Sequence, residues 1–253
     1  MRKIKSINQK WVSPIINFSR IYNVLPNYLE YFRKWKLYSK MEGAEPLKLR
    51  NAQPSLFDKT LTTGIDSHYF YQDLWAFKKI FNSPFEYHTD IGSKVDFVGF
   101  ISAIKKVTFI DIRYLDVNLE NFQSEKGNIL ALRFKDNSIS SLSCLHVAEH
   151  IGLGRYGDDL DPMGTRKAAK ELSRVLDPTG NLFFSVPIGK PRLCYNSHRI
   201  HSVKQILDYF PELELVELSG VNDEGEFIKN IKRSTLDSCV YGCGFFWFTK
   251  EGK

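Results

Sequence analysis

Three observations predict an α/β domain with a mainly parallel sheet for residues 85 to 253. Short apolar runs alternate with stretches of helical period from Tyr87 to the C-terminal region, the order of a sheet covered by helices on both faces. A glycine turn, Asp90-Ile91-Gly92-Ser93, follows the first of those runs, and an acid, Asp111, closes the second. The chain has 253 residues, 43% hydrophobic and 14% aromatic, which excludes a disordered polymer and suits one good-sized core with an appendage.

Tyr87 to Ile91 is the first expected strand. Ser93 and Asp96 then have the spacing of a capping box, with Val95, Val98 and Ile101 or Ser102 turned inward on the helix that follows. Val107 to Asp111, Asn128 to Leu132 and Ile139 to Leu145 are the next three expected strands. Asp161-Pro162 opens a helix with proline in its first turn, and Ala168, Ala169, Leu172, Val175 and Leu176 form its buried stripe. Asp177-Pro178-Thr179-Gly180 turns the chain into a strand from Leu182 to Val186. Ser202 and Gln205 cap a helix carrying Ile206, Leu207 and Phe210 that Pro211 ends, and Leu213 to Leu218 and Phe245 to Thr249 complete the strands.

Ahead of this domain, residues 1–45 read as a basic, aromatic helical arm. Trp11, Ile15, Ile16, Phe18, Ile21, Tyr22, Leu25, Tyr28, Leu29, Phe32 and Trp35 place several apolar groups on one helical face, and Pro14 and Pro26 limit it to a pair of short helices. The pair would dock on the domain or on another subunit, making a homo-oligomer, or would lie on an anionic membrane surface. Residues 46–84 form a strap, broken by Pro46 and Pro54, and a cover helix. In that helix Phe70, Leu74, Phe77 and Phe81 form the expected buried side, started near Asp66 or Ser67.

The formal charge is +6, and its location matters. The first forty residues hold nine Lys or Arg against the single acid Glu30, leaving 26 bases and 28 acids in the remainder. A main domain of slight negative charge argues against nucleic acid as a partner. The four cysteines are scattered, and Cys239 and Cys243 have no second close pair, which argues against a zinc site and for a reducing compartment. No apolar run reaches the roughly 18 residues of a membrane span. No apolar signal segment opens the chain, so the expectation is a mature cytoplasmic protein, with the inner membrane face as the place for any peripheral contact.

Two stretches carry the candidate chemistry. Gly92 permits close backbone approach to a ligand, Asp111 can accept both hydroxyls of a ribose, and Asn128 can pair with a purine edge. Leu145-His146-Val147-Ala148-Glu149-His150-Ile151 ends a strand and runs into the polar loop Gly152-Leu153-Gly154-Arg155-Tyr156-Gly157-Asp158, the composition of a pocket wall. Taken singly, His146 also reads as a satisfied strand-end histidine, and Glu149-His150 as a polar pair closing the strand. No hydrolytic triad spacing and no phosphate-binding lysine loop is present.

From about Phe85 to Val221 the chain resembles the class I, S-adenosylmethionine-dependent methyltransferases. Asp90-Ile91-Gly92 matches the acid and first glycine of that family's cofactor loop, Asp111 its ribose acid, and Phe134 to Ile139 with Leu145 to Ile151 its fourth-strand region. Arg174 to Leu182 is similar to the helix and turn before the fifth strand. Gly154-Arg155-Tyr156-Gly157-Asp158 and Asn196-Ser197-His198-Arg199 resemble a poorly characterised bacterial branch found with surface-polysaccharide biosynthesis. Lys94 and Asp96 stand at the family's later glycine positions, and Ser140 replaces a frequent acid.

The resemblance implies a Rossmann-like, seven-stranded sheet and S-adenosylmethionine as cofactor, held by Asp90, Gly92, Ser93, Asp111, Asn128 and Leu145. It implies methyl transfer to a hydroxyl of a sugar or other small acceptor, with a glycan acceptor in view. His150, then His146, with Asp158 as orienting group, are the expected catalytic residues. Arg155, Tyr156, Arg192, His198 and Arg199 are expected on the acceptor, and Tyr195 and Trp75 are further stacking candidates. No metal is expected. The departures in the cofactor loop leave a non-catalytic, methyltransferase-like scaffold in a biosynthetic complex as the other reading.

Overall fold

A computed structural model describes residues 18–250, with side chains from Ile21 onward. The chain divides into two units between Gly64 and Ile65. In the first, helix α1 runs from Phe18 to Tyr38 without interruption at Pro26, so the arm is not a pair of helices broken there. Pro26 lies on an exposed side of the helix, where water can take the carbonyl that a proline leaves unbonded. The strap folds back along α1: Asn27 donates to the Leu56 carbonyl at 2.6 Å, and Lys59 pairs with Glu30 at 3.3 Å. The expected helical segment with Trp11, Pro14, Ile15 and Ile16 lies outside the described residues.

The second unit is an eight-stranded sheet rather than a seven-stranded one, in the order β3-β2-β1-β4-β5-β10-β8-β9. Its strands are β1 Tyr87–Ile91, β2 Lys106–Asp111, β3 Phe122–Lys126, β4 Ile139–Leu145, β5 Leu176–Ile188, β8 Glu214–Val221, β9 Phe227–Ile228 and β10 Gly242–Thr249. β1 to β5 pair in parallel, and β10 enters antiparallel between β5 and β8. The eighth strand is the two-residue β9, added antiparallel to the outer side of β8. Strands β6 Arg192–Cys194 and β7 His198–Ile200 make a separate hairpin.

Side-chain alternation along the strands separates two cores. Phe184, Phe246 and Phe248 face the layer of α4 Gly164–Val175, α5 Val203–Tyr209 and α6 Arg233–Ser238. Phe183 and Phe245 face α2 Ser67–Phe81 and α3 Val95–Ser102. The Ser202–Gln205 capping box is formed in full at the start of α5.

Five elements depart from expectation for identifiable reasons. The third strand is Phe122–Lys126, not Asn128 to Leu132. β3 is an edge strand without an apolar run, whereas Ile129 and Leu132 reach the core from a turn in which Asn128 Oδ1 accepts from Leu130 N at 2.9 Å. α3 starts from Lys94 without a side-chain cap, because the Ser93 hydroxyl is used inside, accepting from Leu145 N at 3.0 Å; Val95 is left exposed. α4 starts at Gly164, two residues beyond Pro162, since Asp161 spends its carboxylate on Met163 N at 2.9 Å and Lys167 at 2.7 Å. A Cβ at Gly164 would stand 2.1 Å from the Ile151 carbonyl oxygen, so only glycine permits this close packing. Residues 177–180 form a bulge within β5, since Ile139 pairs with Leu176 but Ser141 pairs with Asn181.

The fifth is the face of α2. It buries His68, Gln72, Trp75, Ala76 and Ile80, while Phe70 and Phe81 remain 50% and 58% exposed. Asp66 caps the helix as expected, accepting from His68 N and Tyr69 N. Both faces carry apolar groups at helical spacing, and the side with Trp75 wins through its ring contacts with Phe183 and Phe245. Gln72 can be buried there because its side chain accepts from the Ser185 hydroxyl. Ile80→Ala is therefore expected to cost about 2–5 kcal/mol and Phe70→Ala less than about 1 kcal/mol in urea unfolding; the reverse order would disprove this face assignment.

Candidate functional site at the strand ends

Strand order reverses between β1 and β4, the position where open α/β sheets form a ligand crevice. A buried polar column fixes the two strands there. His88 bridges Ser141 Oγ and Ser143 Oγ, each at 2.8 Å, and Ser143 donates to the Asp90 carboxylate. Asp90 Oδ1 accepts from Ser93 N at 2.9 Å. Burial lowers the pKa of His88 to about 3 and raises that of Asp90 to about 6. Asp90, Ser93 and Leu145, expected on the cofactor, are instead buried and engaged with one another, and they shape the turn that presents Gly92.

Gly92 has φ +69°, and a Cβ there would lie 3.1 Å from Val147 Cγ1 and 3.5 Å from Asp111 Oδ2. The glycine thus opens the space between the β1 turn and the carboxylate at the end of β2. Asp111 uses Oδ1 to accept from Arg113 N at 2.7 Å. Its Oδ2 faces Gly92, placed to accept from a ribose-like pair of hydroxyls. Asn128 contributes less than expected, because its oxygen is committed to Leu130 N and only its amide NH₂ remains to donate. Lys94 pairs with Asp96 at 3.3 Å and approaches the Tyr69 ring. Gly92 and Asp111 are thus the residues here that could hold a ribose, whereas Asn128 lines a separate cleft with Ile110, Lys126 and Arg133.

Beside this corner lies a pocket of about 800 Å³, lined among others by His68, Tyr69, His146, Glu149, His150, Arg155, Tyr156, His198, Asp223 and Tyr241. Two contacts join it to the Gly92–Asp111 corner: Arg113 stacks on Tyr156, its guanidinium 4.7 Å from the ring centre, and Lys94 on Tyr69, its ammonium at 5.8 Å. His146 follows β4 with φ +56°, a left-handed conformation uncommon for histidine. Its Nδ1 bonds Glu149 Oε1 at 2.7 Å, and its Nε2 faces Cys243 Sγ at 3.2 Å. Burial opposes charge on His146, but the sulfur and the carboxylate around it outweigh burial and raise its pKa. Burial also raises the Cys243 thiol, so Glu149 is the anion that stabilises a proton on His146.

His150 Nδ1 must donate to the Ser197 carbonyl, 2.6 Å away, which in the neutral ring leaves Nε2 as the acceptor. The T-shaped contact with Tyr156 positions the ring at 5.7 Å between centroids. His146, His150, Arg155, Tyr156 and His198 are thus brought together. Three other candidates serve the backbone. Asp158 accepts from Gly152 N at 2.6 Å and Tyr156 N at 3.3 Å, clamping the loop without touching either histidine. Arg199 holds the Ile151 and Asp161 carbonyls at 2.6 and 3.0 Å, and Arg192 holds that of Val240 at 2.6 Å. Trp75 is core, donating to Glu217 at 2.8 Å, and Tyr195 is exposed.

Sequence reasoning missed His68, Tyr69, Asp223, Tyr241 and Cys243, which reach the site from α2, the β8–β9 turn and the start of β10. It also missed Asp73, whose carboxyl burial raises to about 6 and whose charge acts on Asp90. None belongs to a local motif; only the helix start at Asp66 hinted that His68 and Tyr69 share a first turn.

A family described as a Caenorhabditis protein of unknown function, DUF268, matches residues 91–235, more than half of the chain. The chain belongs to this family. No curated protein matches it. Among solved structures, the YcgJ protein of Bacillus subtilis is 15% identical and superposes with a TM-score of 0.52, covering 73% of this chain and 100% of its own. The N-methyltransferase NodS of Bradyrhizobium japonicum, solved in complex with S-adenosyl-L-homocysteine, is 13% identical with a TM-score of 0.52, covering 80% and 94%. The [4+2]-cyclase SpnF gives 12%, 0.52, and coverage of 73% and 81%. The DUF268 chain thus has the Rossmann-like fold seen in diverse S-adenosylmethionine-dependent methyltransferases, and SpnF shows that this fold carries other activities too.

The polar column sets a pH dependence. His88, depressed from 6.5 to about 3, makes the unfolded chain the stronger proton binder, so its contribution to stability is full above pH 6.5 and lost as pH falls. His68 and His201, each lowered by burial to about 4, act in the same direction. Asp90, raised from 3.8 to about 6, acts oppositely, its contribution lost as pH rises through that interval. His88→Gln is expected to shallow the loss of unfolding free energy between pH 6.5 and 4 by about one proton's slope; an unchanged slope would show that His88 is charged in the fold.

Proposed function

We propose that this protein transfers a methyl group from S-adenosylmethionine to a hydroxyl of a sugar or other small acceptor. The observation that carries this reading is the juxtaposition of Gly92 and Asp111 at adjacent strand ends, beside a pocket that holds His150, whose Nδ1 is fixed by the Ser197 carbonyl and whose Nε2 stands 3.6 Å from Glu149 Oε1. S-adenosylmethionine supplies an electrophilic methyl group. Asp111 would accept the ribose hydroxyls, and Gly92 would leave room for close backbone approach.

His150 Nε2 would take the acceptor's proton, while the Ser197 carbonyl fixes the ring and its tautomer. Arg155, also bonded to Ser197 O at 3.2 Å, presents positive charge for a carboxylate or phosphate on the acceptor, and its guanidinium lies 5.0 Å from the centre of the Tyr156 ring. Tyr69, Tyr156 and Tyr241 on the pocket lining would orient the acceptor. The likeness of residues 154–158 and 196–199 to a branch found with surface-polysaccharide biosynthesis supports a glycan acceptor.

Titration calorimetry is expected to show binding of S-adenosylmethionine and S-adenosylhomocysteine but not of NAD. Asp111→Ala should weaken that binding about 10- to 100-fold, the worth of hydrogen bonds to a charged acceptor. With an acceptor in hand, His150→Ala should keep cofactor binding and lose about 10²–10⁴ in turnover. No binding of either sulfur compound at millimolar concentration would sink the reading in favour of a non-catalytic scaffold.

For the arm we propose contact with anionic membrane surface. The support is the exposed row Ile21, Leu25, Leu29 and Phe32 on α1, in a segment rich in basic residues. No helix among the described residues is long and apolar enough to cross a membrane. The full-length protein should float with anionic liposomes in a density gradient, and a chain starting at Ile65 should not; equal behaviour of the two would refute the lipid role.

A further inference from the structure

The geometry points to a metal-binding site formed by His68, His146 and Cys243, taking a divalent transition ion of the zinc type. This goes beyond methyl transfer and does not depend on it. The three residues come from the first turn of α2, the residue after β4 and the start of β10, and are distant in sequence. One donor atom from each lies within 4.8 Å of the other two, and all three side chains are buried. His146 Nε2 and Cys243 Sγ, 3.2 Å apart, already approach the separation of neighbouring ligands around a tetrahedral ion with bonds of about 2.0–2.3 Å.

The surroundings match what a metal requires of its supporting groups. A ligating histidine ordinarily donates its other ring N–H to a carboxylate or a backbone carbonyl, which fixes its tautomer and raises its basicity. His146 Nδ1 meets Glu149 Oε1 at 2.7 Å, leaving Nε2 for the ion. The His68 ring packs against the Tyr241 ring, with centroids 5.0 Å apart. The ring planes of His68 and His146 are nearly parallel, at 12°. A second, independent sign is the other Glu149 oxygen: Oε2 is fully buried and has no hydrogen-bond partner among the described residues, in a side chain that lines the pocket.

Three protein ligands leave one tetrahedral position, the arrangement of catalytic rather than structural zinc. His68, His146 and Glu149 line the pocket, so that position would belong to water or to an acceptor oxygen. Two imidazoles and a thiolate select borderline-soft ions such as zinc or cobalt over magnesium or calcium. On binding, Cys243 gives up its thiol proton and His146 its Nε2 proton to solvent, so that the sulfur and the ring nitrogen each offer an electron pair to the ion. The site is contrary to the expectation of no metal drawn from cysteine spacing, because only one of its ligands is a cysteine and the two histidines lie far away in the chain.

The test uses full-length protein stripped with a chelator and titrated with Co²⁺, then Zn²⁺. One equivalent of Co²⁺ should give visible d–d bands of tetrahedral intensity and a thiolate-to-cobalt charge-transfer band in the near ultraviolet, both erased by Zn²⁺. Cys243→Ser should abolish the charge-transfer band, whereas Cys239→Ser should leave it intact. Glu149→Gln should weaken Co²⁺ binding about 10- to 100-fold, the usual effect of removing an orienting partner. Zn²⁺ at a hundred times its Kd should raise the melting temperature of the wild type but not of His68→Ala. That variant provides the readout if Cys243→Ser does not fold. Absence of stoichiometric binding, a thiolate band that survives Cys243→Ser, or equal zinc stabilisation of His68→Ala would each overturn the proposal. Calorimetry with S-adenosylmethionine reports separately on the Gly92–Asp111 corner, so failure of either reading leaves the other standing.

Discussion

The polar column His88, Ser143, Asp90 and Ser93 is the constraint on which the strand-end architecture depends. It crosses from β1 to β4 at the point where strand order reverses, where each strand must stop and send its chain in a different direction. Buried hydrogen bonds are directional and costly to leave unmade, so they set strand register and turn geometry more sharply than apolar packing does. Through Asp90 and Ser93 the column shapes the turn at Gly92, and through Ser93 and Leu145 it reaches the residue before His146. The glycine that faces Asp111 and the histidine that faces Cys243 thus hang from one network.

What the sequence disclosed follows the same division. Apolar runs mark strands that are covered on both faces, so β2, β4 and the central part of β10 were legible, as was the buried stripe of α4, whereas β1, with His88, Thr89 and Asp90 buried in it, was legible from the glycine turn that follows. β3 was not, because an edge strand needs no apolar run, and the nearby apolar residues Ile129 and Leu132 drew attention to a turn instead. The burial of α2 was misread because amphipathic spacing identifies a helix but not which of two apolar faces wins; partners more than a hundred residues away, Phe183 and Phe245, decide that. Gly92, Asp111, His146 and His150 could be found from local motifs. His68, Tyr241 and Cys243 carry no signal until the sheet order assembles them.

Glu149 is the electrostatic pivot of the pocket. It is fully buried and has His146 at 2.7 Å and His150 at 3.6 Å. Burial alone would raise its pKa, but the two histidines more than offset this, with His146 the larger influence, and lower it. A carboxylate retained in such surroundings keeps the adjacent imidazoles oriented and their electron pairs directed. His198, whose pKa burial lowers, adds a neutral polar group to the opposite wall.

The loop from Gly152 to Asp161 is held almost wholly through its main chain. Asp158 clasps two of its amides, Arg199 two neighbouring carbonyls, and Gly164 packs directly against the Ile151 carbonyl. None of these fastenings uses the side chains of Arg155 or Tyr156, the residues that the loop turns toward the pocket. The wall is therefore built like a frame with exchangeable panels. Substitution at positions 155 and 156 can redirect what the pocket admits while the frame keeps its shape.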